Sequence, residues 1–540
     1  MFPTFVPTRR ALLAASALAL GLLPATLIAQ PARAADGEPV RGGTLFAAIH
    51  PQPSVLIVAV NNQYANAVVS ANVFDGLVTY DEQQKPQPAL ATSWTVSRDG
   101  RTITFRLRQG VKWHDGAPFS SADVRYNVLE VWKKVHARGR VTFEPVTDVE
   151  TPDAHTAVLK LSRPAPVILN ALSPSESQLL PRHLYEGTDV RTNPWNNKPI
   201  GTGAFRFKEW KRGEFIELVR NPDYWEAGKP YLDRVIYRAI PDAAGRAAAL
   251  ETGEIQYLPY SGVPFSDVAR LRQRPDLVFD TRGYDYSSQI YVVEFNLRRP
   301  FVEQQKVRQA MAHAIDKQGL INTVWYGVTK PVSGPIPPAL KQFHTDDKPV
   351  YHFDAAKAEK LLDEAGLPRK ANGERFAITF TPSPSTEAYA GAAEFIRQNL
   401  QRVGITLNIV RTDGPTYIRK IYTDYDFDML IQGYSVLLDP ELGLTRILWS
   451  KGASKGVPYV NASNYANPKV DAVIEGYQRE TDPEKRRKLF HELQRLVNAD
   501  LPLLPLMDAP FFTFHSKKLR GLEPTPDASR ASLKNVWLER

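Results

Sequence analysis

Alternating apolar and polar positions predict short strands in the first third of the chain. Across residues 101–108, Ile103, Phe105 and Leu107 fall on one face and polar residues on the other, and Gly110 follows at a turn. A period of two is that of a half-exposed strand. Further short strands are predicted at residues 44–49 and 156–161.

Helical spacing begins at Ser120. Asp123 follows three positions later, and Val124, Val128 and Val131 recur at the spacing of one helix face. Serine before the first turn and an acidic residue within it are typical of a helix N-terminus, because both side chains favour its exposed N–H groups. We therefore expect a capped helix from residue 121.

A second pattern begins near residue 199. Two apolar-rich segments, 205–210 and 215–219, flank the polar residues 211–214, which predicts a β-hairpin. Beyond residue 295 helical periods dominate, and a helical face runs through residues 307–321. Helix caps are predicted at Asp354 and Asp482, and strands at residues 377–381, 405–410 and 428–431. This alternation of helices and strands predicts an α/β lobe.

Length and composition narrow the class of protein. With 540 residues, of which 43% are hydrophobic, the chain is expected to form two or three domains. It contains no cysteine, which excludes disulfides, thiolate metal sites and a lipid-modified cysteine at the mature N-terminus. The formal net charge is +9. The densest basic run of the mature chain, residues 485–488, precedes Leu489, Leu493 and Leu496, so we expect a solvated helix face there and no nucleic-acid partner.

Residues 1–35 have the composition of an export signal peptide. Arg9 and Arg10 precede an uncharged stretch, and residues 32–34 have the small-x-small pattern of a cleavage site. Residues 8–13 also match the twin-arginine motif. The alternative is a permanent membrane anchor, but Gly21 and Pro24 interrupt the stretch. We expect cleavage and a periplasmic protein without a lipid anchor.

Enzyme motifs fail at required residues. His491 and Glu492 begin like a zinc-protease helix, but Arg495 stands where the second histidine is required. Residues 201–206 contain two glycines of a dinucleotide fingerprint, lack the third and lead into a predicted strand. The sequence therefore predicts neither a metal site nor a cofactor, and no catalytic residues.

Several phrases occur in order along residues 40–520. They are FDGLVTY at 74–80, PALATSW at 88–94, FRLRQGVKWHDGAPF at 105–119, GTGAF at 201–205, NPDYW at 221–225, PYLD at 230–233, FNL at 295–297, AID at 314–316 and AEKLLDEAGL at 358–367. The ordered set resembles the family 5 solute-binding proteins, the oligopeptide- and dipeptide-binding group of bacterial importers.

The resemblance implies an α/β fold of the periplasmic-binding-protein kind. Two mixed α/β lobes would surround a hinged cleft (type II, cluster C-like), with an extra subdomain. The expected segments are residues 36–71, 196–289 and 506–540 for lobe I, residues 72–195 for the inserted subdomain, and residues 290–505 for lobe II.

The same resemblance implies a receptor that delivers a peptide or another small polar organic solute to an ATP-driven membrane importer. Its partners would be that solute and an inner-membrane permease complex, and the receptor would be a monomer. Two alternatives stay open: a secreted hydrolase acting on peptides or glycans, and a peptide-binding chaperone. A hydrolase needs a nucleophile, paired acids or a metal site, and the sequence shows none of these arrangements.

Two departures from the family's pattern bear on the ligand. Peptide-binding members hold the peptide's amino group with an aspartate, at a position where this chain has Leu437, or Val436 under another gap placement. Dipeptide binders place an arginine in a loop that corresponds here to residues 381–386, which contain none. Losing a buried charge partner costs about 2–5 kcal/mol. We therefore expect a ligand without a conventional free α-amino terminus, such as a modified peptide or an opine-like or sugar conjugate.

The family's pattern also suggests which residues face the cleft. Asp439 has an alternative role as a turn residue, and Trp449 has one as a core residue. The candidate ligand-binding residues are His50, Gln52, Tyr286, Tyr434, Asp439 and Trp449.

Overall fold

The computed structural model describes residues 37–540, and residues 39–540 form one compact unit. The predicted signal peptide, residues 1–35, lies outside the described residues. Within the described part, every helix is too short or too polar to cross a membrane.

The strands are short and distributed along the whole described chain. They are β1 (Thr44–Ile49), β2 (Val78–Tyr80), β3 (Pro86–Pro88), β4 (Ala91–Val96), β5 (Thr102–Leu107), β6 (Val146–Asp153), β7 (Thr156–Leu161), β8 (Phe205–Lys211), β9 (Phe215–Arg220), β10 (Arg234–Ala239), β11 (Tyr257–Leu258), β12 (Leu277–Asp280), β13 (Gln289–Phe295), β14 (Phe376–Pro382), β15 (Ile405–Ile409), β16 (Met429–Ser435), β17 (Leu503–Asp508), β18 (Thr513–Ser516), β19 (Leu519–Arg520) and β20 (Trp537–Leu538).

The longer helices belong to the second half of the chain. The α-helices are α1 (Tyr64–Val73), α2 (Ser121–Tyr126), α3 (Gly139–Thr142), α4 (Arg182–Tyr185), α5 (Ala243–Glu251), α6 (Val268–Arg272), α7 (Gln305–Ala314), α8 (Lys317–Val324), α9 (Ala355–Glu364), α10 (Ala388–Arg402), α11 (Gly414–Tyr422), α12 (Pro440–Gly443), α13 (Thr445–Leu448), α14 (Pro468–Tyr477) and α15 (Pro483–Asp500). A π-helical turn, Asn127–Trp132, continues α2.

A seven-stranded mixed sheet has the order β12-β18-β11-β1-β10-β9-β8. Strand β1 runs parallel to both of its neighbours, β10 and β11. The predicted hairpin is confirmed, because β8 and β9 pair antiparallel across a turn at residues 211–215. Four of the seven strands come from residues 205–258, and β18 is added from near the end of the chain.

A four-stranded antiparallel sheet has the order β4-β5-β7-β6. The alternation read from the sequence of β5 is confirmed: Ile103, Phe105 and Leu107 are buried and Arg106 is exposed. The capped helix is confirmed as well, since Ser120 and Asp123 form a capping box at the start of α2. This sheet packs its apolar face into the same core as the seven-stranded sheet.

A five-stranded mixed sheet has the order β15-β14-β16-β13-β17. The predicted caps are confirmed, with Asp354 accepting from the N–H of Lys357 and Asp482 from that of Lys485, each at 2.9 Å. The continuous helical face predicted for residues 307–321 is wrong, because α7 ends at Ala314 and Asp316 caps a separate helix, α8.

The expectation of a wholly solvated basic run at residues 485–488 is wrong at one position. Helix α15 turns Arg486 inward, and the apolar side it buries consists of Phe490, Leu493 and Val497. Arg486 is 6% exposed, because two carboxylates from another element surround its guanidinium. The three flanking basic residues are exposed or partly exposed, as expected.

The chain passes between the seven- and five-stranded sheets twice. The first crossing segment, residues 281–288, connects β12 to β13, and the second, residues 509–512, connects β17 to β18. Both segments are short, so they hold the facing ends of the two sheets next to each other.

Candidate functional site

An aromatic cluster lies where the two crossing segments meet helix α1. The ring of Tyr64 is 5.1 Å from that of Tyr260, 6.4 Å from that of Tyr284 and 5.3 Å from that of Phe511, centroid to centroid. Tyr284 is tied down by its hydroxyl, which lies 2.6 Å from Thr513 Oγ1. Tyr64, Tyr260 and Phe511 keep part of their surface exposed, so the cluster offers apolar ring surface beside the crossings.

Arg530 lies above this cluster. Its guanidinium is 4.8 Å from the ring centroid of Tyr64 and 5.1 Å from that of Tyr286, which is cation–π distance from both. The residue is 5% exposed, and its Nε and Nη2 have no hydrogen-bond acceptor. The nearby carboxylate of Asp527 accepts from Ser175 Oγ at 2.7 Å instead.

A buried ion pair between Arg138 and Glu176 lies close by. Arg138 Nε donates to Glu176 Oε1 at 2.6 Å, and Nη2 donates to Oε2. His136 accepts from the N–H of Gly139 through Nδ1, so in the neutral ring the proton is on Nε2, which has no partner. Burial lowers the pKa of His136 to about 4, so the ring is a neutral donor at pH 7.

Arg446 is the second guanidinium with an unused nitrogen. It lies on α13, just beyond the end of β16, and its buried Nε has no acceptor. Burial, assisted by the like charge of Arg138, lowers the pKa of Arg446 to about 10. The group therefore remains a cation at neutral pH, and no carboxylate in residues 37–540 forms an ion pair with it.

Beneath this region the five-stranded sheet contains a hydrogen-bonded network centred on Glu294. Gln432 Nε2 donates to Glu294 Oε2 at 2.9 Å, and the hydroxyl of Tyr434 donates to the same oxygen. Tyr417 and Tyr422 both donate to Gln432 Oε1 at 3.1 Å. Burial raises the pKa of Glu294 to about 7. The network fixes the orientation of Tyr434 at the end of β16 and of Tyr417 and Tyr422 on α11.

Two of the residues predicted from the sequence, His50 and Gln52, lie after β1 at the edge of the aromatic cluster. His50 is exposed, and its backbone N–H donates to the hydroxyl of Tyr260 at 3.1 Å. Gln52 accepts from the N–H of Gly213, and its Nε2 is buried without a partner. The third, Tyr286, is fully buried beneath Arg530. His50 and Tyr286 therefore contact the aromatic cluster and Arg530, whereas the hydrogen bond of Gln52 is to the turn between β8 and β9, and a ligand-binding role for the three stays a prediction.

Asp439 and Tyr434 are buried on the other side. Asp439 is completely buried; Arg486 donates to its two carboxylate oxygens at 2.6 and 2.9 Å, and Asn170 adds a hydrogen bond at 2.9 Å. Leu437 has a φ of 66° and is buried, so the backbone at this point takes a conformation that is unusual for leucine.

Trp449 lies apart from this group. It lines a groove of about 420 Å³ together with Arg140, Arg163, Lys451 and neighbouring residues. Its Nε1 is buried without an acceptor, and the Lys451 ammonium lies 5.3 Å from its ring. The groove lies between the segment that follows α3 and the segment that follows α13.

The structure adds functional candidates that the sequence analysis missed. The two guanidiniums with unused nitrogens, Arg446 and Arg530, belong to no sequence motif, and what they share is an electrostatic interaction with Glu176, which only the tertiary fold brings about. One partial indication of these arginines was present in the sequence. The loop at residues 381–386 contains no arginine, so a carboxylate-binding residue was to be expected elsewhere in the chain. Tyr64 is a third candidate that the sequence analysis did not identify; it begins α1, a helix whose other residues are buried.

Fold and site together define the class of protein. Mixed α/β lobes that the chain crosses twice, with a polar region beside the crossings, are typical of a periplasmic-type solute-binding protein. The chain belongs to the bacterial extracellular solute-binding proteins, family 5, whose family model matches residues 85–456. Members of this family are the solute-binding receptors of ATP-driven importers. The resemblance stated from sequence phrases and the predicted fold class are confirmed.

Individual relatives cover nearly the whole chain. The glutathione-binding protein GsiB of Salmonella typhi is 28% identical over 519 residues, which are 94% of this chain and 96% of that protein. The periplasmic binding protein DppA of Helicobacter pylori, solved with the peptide STSA, is 26% identical, with a TM-score of 0.79 and coverage of 93% and 99%. AgaA of A. tumefaciens R10, solved with agropinic acid, is 26% identical, with a TM-score of 0.78 and coverage of 92% and 99%.

Proposed function

We propose that this receptor captures a small polar organic solute through a carboxylate group and not through an α-ammonium group. The observation that carries the proposal is Arg446, a cation with a buried Nε that no group in the described chain occupies. A buried charge without a partner is costly, and a ligand carboxylate supplies the missing partner in the geometry that guanidinium prefers.

The environment gives an ammonium group no acidic partner at the family's usual position. Val436 and Leu437 are apolar and buried there. The nearest acidic residue along the chain, Asp439, already has both oxygens bound by Arg486. This supports the expectation, drawn from the sequence, of a ligand that does not depend on a free α-amino terminus.

The chemistry of the relatives' ligands is compatible with this proposal. Glutathione, agropinic acid and the peptide STSA differ in size and in their amino groups, but each contains a carboxyl group. A modified peptide or an opine-like conjugate would combine a carboxylate with a neutral or blocked amino end, as proposed here.

The test is calorimetric titration of the mature protein with matched ligand pairs. Each carboxylate probe, such as glutathione or an N-acylated amino acid, is compared with its ester. We expect binding of the acid to weaken by about 30- to 4,000-fold in Arg446→Gln, the range for losing a buried charge partner. The control is Arg419→Gln, whose side chain is 78% exposed. Equal affinity for acids and esters would contradict the proposal.

We further propose that the protein is a monomeric periplasmic receptor without catalytic activity, released from its signal peptide and not lipid-anchored. Solute recovered unchanged after long incubation, by mass spectrometry, would support a receptor, whereas turnover would indicate the hydrolase. Light scattering tests the monomer, and N-terminal sequencing of the exported protein tests cleavage.

The lobe boundaries are also a proposal. The seven-stranded sheet takes its strands from residues 44–49, 205–280 and 513–516, which supports a three-segment lobe I. Strand β17 ends at residue 508 and pairs with the five-stranded sheet, so we place the end of lobe II after residue 508. The four-stranded sheet lies entirely within residues 72–195, the proposed inserted subdomain.

A further inference from the structure

Arg530 has the features of a second anion-binding group. It is 5% exposed, two of its nitrogens lack an acceptor, and the guanidinium lies within cation–π distance of the rings of both Tyr64 and Tyr286. A planar guanidinium whose position is already fixed loses little freedom when it binds a carboxylate. The side chain thus keeps two buried donors, Nε and Nη2, to which no oxygen of the described chain is hydrogen-bonded.

The charges nearby do not remove the need for that partner. Arg138 is neutralised by its two hydrogen bonds to Glu176. Asp527 is close enough to Arg530 for their charges to attract each other, but its carboxylate accepts a hydrogen bond from Ser175 Oγ and leaves Nε and Nη2 of Arg530 without an acceptor. Two cations with unused nitrogens, Arg446 and Arg530, remain beside the crossings.

These two arginines belong to opposite parts of the fold. Arg446 follows β16 of the five-stranded sheet, whereas Arg530 lies beyond β18 of the seven-stranded sheet and contacts α1 through Tyr64. A single ligand bound to both would bridge the two parts. The exposed ring surface of the aromatic cluster beside Arg530 would accommodate the apolar portion of such a ligand.

We propose that Arg530 binds a second acidic group of the same solute, so that the captured solute carries two acidic groups and is held at one end by Arg446 and at the other by Arg530. This inference rests on the proposed function and narrows its substrate class to diacids, such as γ-linked peptides, succinylated amino acids or N-carboxyalkyl amino acids. Two well-placed carboxylates neutralise both unused cations, which one carboxylate cannot do.

A thermal-shift screen tests the substrate class. The probes are glutathione, N-succinyl-alanine and an N-carboxyalkyl amino acid, each paired with the ester that blocks one carboxyl group. We expect at least one diacid to raise the melting temperature and its monoester to do so far less. The inference is overturned if no diacid stabilises the protein, or if the monoesters stabilise it equally.

Variants then show which arginine binds which end of the ligand. For a stabilising diacid, we expect Arg530→Gln to weaken binding by tenfold or more and to leave binding of the ester blocked at that end unchanged, whereas Arg446→Gln weakens both. Lys518→Gln, an exposed cation in the same part of the chain, is the control. If ligands bind through Arg446 but Arg530→Gln has no effect, the second site is refuted and the proposed function stands. If Arg446→Gln has no effect, the proposed function itself fails.

Two further measurements separate binding from a structural role. Without ligand, Arg530→Gln should melt below the wild-type temperature, because the buried carboxylate of Asp527 loses a nearby cation; if Arg530 binds the ligand, the variant's loss of affinity should still be larger for the diacid than for the ester. A lower melting temperature together with equal losses for diacid and ester would show that Arg530 is structural. Arg530→Lys keeps the positive charge but loses the paired N–H donors of the guanidinium, so it should retain part of the affinity for the diacid.

Discussion

Replacing Arg486 by methionine removes the guanidinium that forms ion pairs with two buried carboxylates. Its guanidinium donates to Asp439 at 2.6 and 2.9 Å and to Glu441 at 2.8 Å, and all three side chains are at most 10% exposed. Burial and the neighbouring Asp439 raise the pKa of Glu441, since one cation serves two acids. We expect the variant to be strongly destabilised.

The size of the destabilisation depends on whether the unpaired carboxylate stays charged or becomes protonated. Removing one partner of a buried pair costs about 3–5 kcal/mol. Protonating an ordinary aspartate, with a pKa of about 3.9, costs about 4 kcal/mol at pH 7 and about 1.5 kcal/mol at pH 5. The unpaired carboxylate in Arg486→Met can become neutral by binding a proton, and this costs less free energy at pH 5 than at pH 7. The loss of unfolding free energy should therefore be smaller at pH 5, by the difference between these two protonation costs.

Urea unfolding, followed by circular dichroism and by tryptophan fluorescence, measures the effect and checks whether the two transitions coincide. Arg487→Met is the matched control, because its neighbouring ion pair with Glu484 is exposed and should be worth less than about 1 kcal/mol. Adding Asp439→Asn and Glu441→Gln to Arg486→Met should restore most of the stability, since no buried charge remains. A loss below about 1 kcal/mol at pH 7, or an equal loss at both pH values, would refute the reasoning.

Three further predictions concern the scaffold. A Cβ at Gly201 would lie 1.8 Å from the carbonyl oxygen of Val73, so Gly201→Ala should lose about 3 kcal/mol or more in urea unfolding, whereas Gly414→Ala, with nothing within 4 Å, should lose none. Burial lowers the pKa of His114 from 6.5 to about 4, so this residue alone should contribute a loss of on the order of 3 kcal/mol as the pH falls from 6.5 to 4; the loss in His114→Gln should be smaller than that of the wild type by this amount, with His136 contributing equally in both proteins. Glu294, with a pKa of about 7, should contribute to the infrared absorption of protonated carboxyl groups at about pH 5 and lose that contribution by about pH 9, so the wild-type spectrum minus the Glu294→Gln spectrum should show a protonated-carboxyl band at the lower pH only.

Local patterns predicted local structure well. The alternation in β5, the capping box at Ser120 and the cap at Asp354 depend on residues adjacent in sequence, so each could be read directly. The break before α8 shows the limit of this approach, because a continuous apolar period concealed a cap at Asp316. The fold class came from an ordered set of phrases and not from periodicity.

The candidate site was less predictable because its members come from distant parts of the chain. Arg446 and Arg530 are 84 positions apart and become unusual only when burial removes their solvent partners. Arg486 was predicted to be solvated because it lies within a run of basic residues, but the helix turns its side chain toward Asp439. A charged residue reveals its role through the partner it meets, and this partner is set by tertiary contacts.

The position of β18 has a consequence for biosynthesis. The seven-stranded sheet places this strand, made from residues 513–516, between β12 and β11, while its parallel centre β1 is among the first segments made. The edges of β11 and β12 that β18 covers therefore stay open to wrong pairing until nearly the last segment of the chain is available. Wherever the chain folds, completion of this sheet depends on residues 513–516, and a product that stops short of residue 513 would be a substrate for proteases and not a partly working receptor.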